Sequence, residues 1–465
     1  MDFFEKYEAW FRRILPSPFT IAVLLSIFTY FLALIFTIPE QENHISYGLK
    51  ILQFWETGLW NGGLLVFAVQ MMLMLVLGHV LALTKPINYV IQKATKFCNT
   101  TANAAFVVTF LTILVAYFNW GLGLIFGAIM AQNVGEHAKA NNLPINYPFI
   151  GAAGYVGLMF WHGGLSGSAL AKVAEPGHLK SLLQNANVSE QIIAQLPEKI
   201  TYAETVFSGM NLTLAFIGIV LVPIILWRVG KSIKSEAFEL KAHQPVFAKP
   251  MEKLIGAERL DHSKALAFYF ALVILGGVIL KILVLDKGGF IGFFTPNNIN
   301  FLLLGLGLLF HGSFNNFLKV VDAAISGVSG ILIQFPLYFG IMGIMNQSGM
   351  VEGMSNFFVS ISNETTFPIF TFLSAGLVNF FVPSGGGQWA IQGPLIVQSA
   401  LEIGVPLNKA ILALAYGDQL TNMLQPFWAL PLLGITGLKA KEILPYTFLL
   451  FVIGFLIFII GLLVF

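Results

Sequence analysis

Residues Val378–Pro394 read VNFFVPSGGGQWAIQGP, a polar and glycine-rich interruption deep inside apolar sequence. Glycine and proline cost about 1 and 3 kcal/mol per interior helical position, so no unbroken helix is expected to run through it. Nor can a lipid-facing segment carry the backbone groups that such a break leaves unpaired. The interruption must therefore face protein or a wet cavity, which makes it a candidate binding site.

The sequence on either side places that site in a membrane. The chain has 465 residues, 57% hydrophobic and 10% charged, against roughly 25% charged in soluble domains. Apolar runs at Phe19–Ile38, Gly62–Leu83, Ala203–Trp227, Ala265–Leu285, Asn300–Phe310, Ile325–Met345 and Thr447–Phe465 are mostly at or near the ~20 residues that span a bilayer core. The alternating strands of a transmembrane barrel are missing. The expected fold class is an all-α polytopic membrane protein, with the lipid bilayer as one partner.

Crossings are expected at about 18–38, 60–84, 148–172, 203–228, 264–285, 297–311, 323–347, 408–437 and 444–465. Two more apolar segments, 104–136 and 366–403, are interrupted near the middle by glycine-rich polar residues, the pattern of re-entrant hairpins. Residues 1–17 mix Asp2, Glu5 and Glu8 with Lys6, Arg12 and Arg13 among aromatic positions, as in an interfacial helix. No small-residue cleavage site follows the first apolar run, so that run is read as a retained helix. The lone Cys98 excludes disulfides within the chain and cysteine-based metal sites. With the N-terminus in the cytoplasm, the inner loops hold 18 of the 25 lysines and arginines, as the positive-inside rule requires.

Residues 229–263 then form a cytoplasmic linker between a first transmembrane repeat, 18–228, and a second, 264–465, with an extra helix at about 264–285. A shift of about 260–264 residues pairs Gly63 with Gly327, Gln70 with Gln334, Phe110 with Phe370, Asn119 with Asn379 and Tyr155 with Tyr416. In each half a glycine-rich break is followed by a second interrupted helix. Counting the first helix, five crossings precede its counterpart at 297–311, and five is odd. The expected architecture is therefore two inverted-topology repeats, each with a re-entrant hairpin and a broken transmembrane helix, an arrangement that points to a secondary transporter with its site near the midplane.

Four interrupted stretches carry the polar groups: Asn119–Gly123, Trp161–Ser168, Asn379–Pro394 and Tyr416–Pro426. A broken helix exposes N–H groups at a new positive end, which suits an anion, whereas glycines at helix crossings can equally serve close packing. The four arginines, Arg12, Arg13, Arg228 and Arg259, all sit at membrane edges or in loops. An anion at mid-membrane would then rest on amide dipoles and neutral side chains, which fits a monocarboxylate better than a dicarboxylate. The candidate substrate-binding residues are Asn119, Gly121, Gly123, His162, Ser166, Ser168, Asn379, Ser384, Gly385, Gly386, Gly387, Gln388, Gln419 and Asn422.

Asp418 is the one acid within the expected helical core of the second half, and an intramembrane carboxylate is a functional candidate by default. It is read as the ion-coupling residue, taking a proton or helping to bind sodium, or alternatively as a partner of unwound backbone around Gly417. His162 either lines the site or bonds a neighbouring carbonyl, and His79 and His311 are read as interfacial. The run Gly164-Leu-Ser-Gly167 resembles the serine motif of intramembrane proteases, but no second mid-helix histidine accompanies it. No HExxH motif or phosphate loop occurs, so neither an enzyme nor an ATP-driven pump is expected, and no cofactor beyond a coupling ion. A passive anion channel and a dicarboxylate carrier are the alternatives.

At these same residues the sequence closely resembles a known family. VPSGGGQWAIQGP, AYGDQLTNMLQPFWALP at Ala415–Pro431, NWGLGLIFGA at Asn119–Ala128 and GGLSGSA at Gly163–Ala169 are similar to the bacterial short-chain fatty acid transporters of the AtoE type, along nearly the whole chain. The resemblance implies a multi-pass inner-membrane carrier for short-chain fatty acids such as butyrate or acetoacetate. It also implies scaffold and transport parts, a homodimer in many members, and binding roles for residues already named. The Ser-Asn-Thr sodium motifs of the dicarboxylate branch are absent, so sodium coupling does not carry over by motif.

Overall fold

The computed structural model describes residues 13–185, 189–235, 256–285 and 295–465, with positions 10, 238, 240 and 293. Among the described residues every regular element is helical. Pro18–Phe36, Gly62–Ala82, Thr101–Phe118, Gly209–Gly230, Lys264–Val284 and Ala440–Val464 are long and apolar enough to cross a membrane, as is the composite Phe314–Gln347. At 1.5 Å per residue even the 18 residues of Thr101–Phe118 extend about 27 Å, close to the thickness of a hydrocarbon core. Their outward faces carry exposed Leu24, Phe31, Phe216, Val273 and Ile460, a surface that only lipid covers at no cost. The chain is a multi-span membrane protein. Several of these helices begin where a small polar side chain takes up an orphan N–H: Asn61 accepts from Leu64, Thr100 from Asn103, Ser208 from Asn211 and Ser263 from Leu266.

The interruptions fall where the glycine-rich stretches are, and two of them reverse the chain. Helix Thr101–Phe118 closes when the Asn119 N–H donates to Val115 O. The same residue then caps helix Trp120–Ala140, its Oδ1 accepting from the Leu122 N–H at 3.0 Å. A Cβ on Gly123 would lie 2.4 Å from Ala116 Cα, although seven residues of continuous helix would separate them by about 10 Å. The second reversal joins Phe367–Asn379 to Gly385–Ile403. There Gln388 donates through Nε2 to Ala375 O at 2.8 Å, across 13 residues.

Two other helices are interrupted without reversing in this way. Tyr147–Tyr155 tightens into a 3-10 turn at Val156–Met159, passes through an irregular stretch and resumes as Ser168–Val173. In that stretch Leu165 N–H donates to Tyr117 O at 2.9 Å, and a Cβ on Gly164 would stand 2.1 Å from the same oxygen. Only glycine allows the backbone so close. Leu407–Thr421 likewise gives way to a 3-10 turn at Asn422–Leu424 and an extended Gln425 before Pro426–Thr436. Each half of the chain thus runs hairpin, broken helix, long apolar helix.

Several expectations need correction. Gly385–Gly387 is no unwound loop: it forms the first helical turn, with Ser384 as the cap accepting from the Gly387 N–H at 3.2 Å. Gly417 also lies in regular helix, because its bare face packs where a Cβ would meet Phe372 O at 2.1 Å, and the break comes later, at Asn422–Gln425. Helices His44–Leu59, Phe314–Ala324 and Met350–Ser360 were not anticipated, since polar residues such as Lys50, Gln53 and Glu56 interrupt the apolar runs. His79 is buried within the protein, in the last turn of helix Gly62–Ala82. Most of the expected surface helix at 1–17 and much of the linker at 229–263 lie outside the described residues.

Candidate functional site

The two broken helices meet at a buried pair of titratable side chains. His162, in the irregular stretch of the first, is 0% exposed and Asp418, in the second, is 1% exposed. His162 Nδ1 bonds Asp418 Oδ2. Charges this deep need both a partner and satisfied hydrogen bonds. On its other side the ring nitrogen Nε2 accepts the Ala169 N–H at 3.1 Å, and Trp161 stacks on the imidazole at 4.4 Å between centroids. Gln419 locks the same junction: its Oε1 accepts from the His162 N–H at 2.8 Å and from the Gly163 N–H at 3.1 Å.

The second hairpin is tied to this junction by side-chain amides. Asn379 Nδ2 shares its two hydrogens among Asp418 O at 2.7 Å, Asn422 Oδ1 at 2.9 Å and Thr421 Oγ1 at 3.0 Å. Gln425 Nε2 donates in turn to Asn379 O at 2.9 Å. Three carbonyl oxygens of these amides, Asn379 Oδ1, Gln388 Oε1 and Gln425 Oε1, are buried with no hydrogen-bond donor in the protein. Such oxygens suit a hard cation. Among the described residues no three His, Cys, Asp or Glu side chains are grouped to hold a metal ion.

Beside the pair lies a small cavity of about 60 Å³, lined by Phe67, Trp120, Leu158, Trp161, Ser168, Ser384, Gly385, Gly386 and Trp428. One water occupies about 10–15 Å³ on the same measure, so the space suits a molecule of a few heavy atoms. Its walls are an aromatic cage: Trp120 meets Trp428 edge-on at 5.3 Å, and Phe67 lies 6.0 Å from Trp428. Its polar rim is the start of helix Gly385–Ile403, where the first N–H groups have no intrahelical acceptor, with the Ser168 and Ser384 hydroxyls. The Trp161 indole N–H is buried with no acceptor in the protein, and a buried unpaired donor asks for a ligand. Neither lysine nor arginine lines this cavity.

Trp120, Ser168 and Gly386 also line a larger cavity of about 1040 Å³. Lys172, Glu175, His178 and Trp389 are on its wall. Trp389 donates its indole N–H to His178 Nε2 at 3.0 Å. Burial and the Lys172 cation hold the His178 pKa below the ordinary 6.5, against the opposing pull of Glu175.

The residues named from sequence fall into three groups. Ser168, Ser384, Gly385 and Gly386 line the small cavity. His162 and Asp418 are next to it, since a Cβ on Gly385 would lie 2.9 Å from His162 Cε1 and 3.3 Å from Asp418 Oδ2. The remainder hold the frame. Asn119 caps a helix, Ser166 accepts the Trp120 N–H at 2.9 Å and also lines the larger cavity, and Gly121 and Gly123 pack on Met74 and Ala116. Gly387 donates to Ser384 and Gln388 ties the two arms of its hairpin through Ala375 O, while Asn379, Gln419 and Asn422 cross-link the junction. The cage residues Phe67, Trp120, Leu158, Trp161 and Trp428 were not named as candidates. A signal existed for three: Trp120 and Trp161 each stand one residue from a break, and Trp428 follows Pro426.

Residues 5–465 match the family model described as short chain fatty acid transporter. Two provisionally named short-chain fatty acid transporters, from Escherichia coli K12 and Haemophilus influenzae, are each 34% identical over 438 residues and 93% of this chain, covering 92% and 93% of their own lengths. Among solved structures, the YdaH transporter of Alcanivorax borkumensis is 13% identical with a TM-score of 0.42 over 97% of both chains. MtrF of Neisseria gonorrhoeae is 15% identical with a TM-score of 0.38, over 98% of this chain and 97% of its own. Both likenesses are too distant to bear on the site.

Proposed function

The chain belongs to the short chain fatty acid transporter family, and on that premise we propose that it carries small monocarboxylates such as butyrate or acetoacetate across the bacterial inner membrane. Transport is by alternating access, with an ion coupled at Asp418 and the N-terminus in the cytoplasm. The observation that carries this reading is the composition of the small cavity. Aromatic and leucine walls offer burial worth about 0.8 kcal/mol per CH₂, and the rim offers hydroxyls, helix N–H groups and the unpaired Trp161 donor for one carboxylate. A dicarboxylate would leave its second charge against an apolar wall, at a cost of several kcal/mol.

The moving part is the second hairpin with its partner in the first half, treated as inverted repeats that rock against the remaining helices. Hinging at Asn119 and at Phe380–Pro383 would open the cavity alternately to either face. The test is counterflow in proteoliposomes: labelled butyrate entering against trapped unlabelled butyrate, corrected for protein-free vesicles. Saturable exchange by butyrate and acetoacetate but not succinate is expected, with Ser168→Ala raising KM several-fold. Exchange that never saturates would favour a channel, and equal exchange of succinate would refute the monocarboxylate reading.

A further inference from the structure

The hydrogen bonds around His162 fix its tautomer. A backbone N–H only donates, so the His162 Nε2 that accepts from Ala169 bears a lone pair. The single imidazole hydrogen is then on Nδ1, donated to the Asp418 carboxylate. With Asp418 as a carboxylate the pair holds one proton and a net charge of −1. The other titratable groups on the surrounding elements do not offset that charge. Tyr117, Tyr155 and Tyr416 are neutral phenols, bonded to Val206 O, to Asn422 O and to Asn211 Oδ1 respectively. Lys172 is half-exposed and paired with Glu175. His178 is engaged with Trp389, and Glu402 and Lys409 flank the loop between helices Gly385–Ile403 and Leu407–Thr421.

Resting on the monocarboxylate reading, we propose that this dyad is the proton-coupling site: each carboxylate that enters the tryptophan cage brings one proton onto Asp418. The start of helix Gly385–Ile403, where the anion's head would rest, is against Asp418 and His162, so an anion there confronts the buried negative charge. Adding a proton removes the conflict. It cannot go to Nε2 without breaking the Ala169 bond, so it goes to the Asp418 carboxylate, and His162 stays neutral. The dyad moves from −1 to zero as the anion brings −1, so the buried charge is the same empty or loaded. Two unit charges about 6 Å apart at an effective dielectric near 20 change proton affinity on the order of 100-fold. By reciprocity the proton strengthens anion binding by the same factor.

The test uses purified full-length protein in detergent with butyrate as the probe, over about pH 6 to 9, where a simple carboxylate stays ionised. Binding is read from the emission of the cage tryptophans, and proton uptake from a pH dye in weak buffer. The wild type is expected to take up close to one proton per butyrate at pH values where the free dyad is singly protonated and the loaded dyad doubly so. Its Kd should rise tenfold per pH unit, up to about 100-fold in total. Asp418→Asn should bind without proton uptake and with a pH-independent Kd, and Asp418→Glu should restore both. Binding without proton uptake in the wild type overturns the proposal while leaving the substrate reading intact, as does affinity set by sodium in place of pH. Butyrate that binds at no pH defeats both. Should Asp418→Asn fail to fold, the wild-type proton count decides alone.

Discussion

Gly385 and Gly386 are adjacent in one helical turn and should respond to alanine in opposite ways. Each substitution gains helix propensity, about 0.5–1 kcal/mol, so the difference between the two variants isolates what the added methyl meets. On Gly385 it would lie 2.8 Å from Trp161 Cη2, 2.9 Å from His162 Cε1 and 3.3 Å from Asp418 Oδ2. The first two atoms belong to buried rings stacked on each other, and neither can yield without disturbing the dyad. Overpacking of this kind costs about 1–3 kcal/mol. On Gly386 the nearest atoms are Ser168 Cβ and Oγ at 4.0 Å, an ordinary contact. Gly385→Ala is therefore expected to be less stable than Gly386→Ala by about 1–3 kcal/mol, read as the shift between their thermal unfolding curves in one detergent. Gly386→Ala should match or exceed the wild type in stability and bind butyrate more weakly, because Gly386 lines the small cavity and an added methyl covers part of that wall. Equal stability of the two variants would refute the placement of Gly385 against the dyad.

Three further outcomes follow from the same geometry. Gln419→Leu leaves the His162 and Gly163 N–H groups buried without an acceptor at about 1–3 kcal/mol each; a loss below about 1 kcal/mol on thermal unfolding would contradict the clamp. The Trp389 to His178 bond needs an unprotonated Nε2, and a base with a depressed pKa keeps such a bond above that pKa and loses it as pH falls through it. The bond should persist at pH 7 and give way only below 6.5. Lys172→Met should raise the midpoint, read as the pH-dependent emission that Trp389→Phe abolishes, and a midpoint at or above 6.5 in the wild type would count against this environment. Burial pushes the Cys98 thiol up to about 12, so it should resist maleimide at pH 7.5 until the protein is unfolded in SDS; prompt labelling of the folded protein would show the site to be open.

The sequence alone determined that the chain is helical and membrane-embedded, and where its helices break. Both are local properties: twenty-odd apolar residues span lipid wherever they occur, and glycine, proline and asparagine disfavour helix by their own backbone chemistry. Even so, local signals misplaced two details. Gly385–Gly387 and Gly417 look like unwound backbone in sequence but are helical, because Ser384 caps the first and Phe372 packs against the second. Tertiary structure decided which residues share a site. His162 and Asp418 are 256 positions apart, and the cage draws Phe67, Trp120, Trp161 and Trp428 from four separate segments. No propensity or spacing encodes such contacts, since they arise only when long helices pack through bare glycine faces and bring distant breaks to the same depth. The charge of the dyad depends likewise on one backbone N–H, that of Ala169, meeting one ring nitrogen.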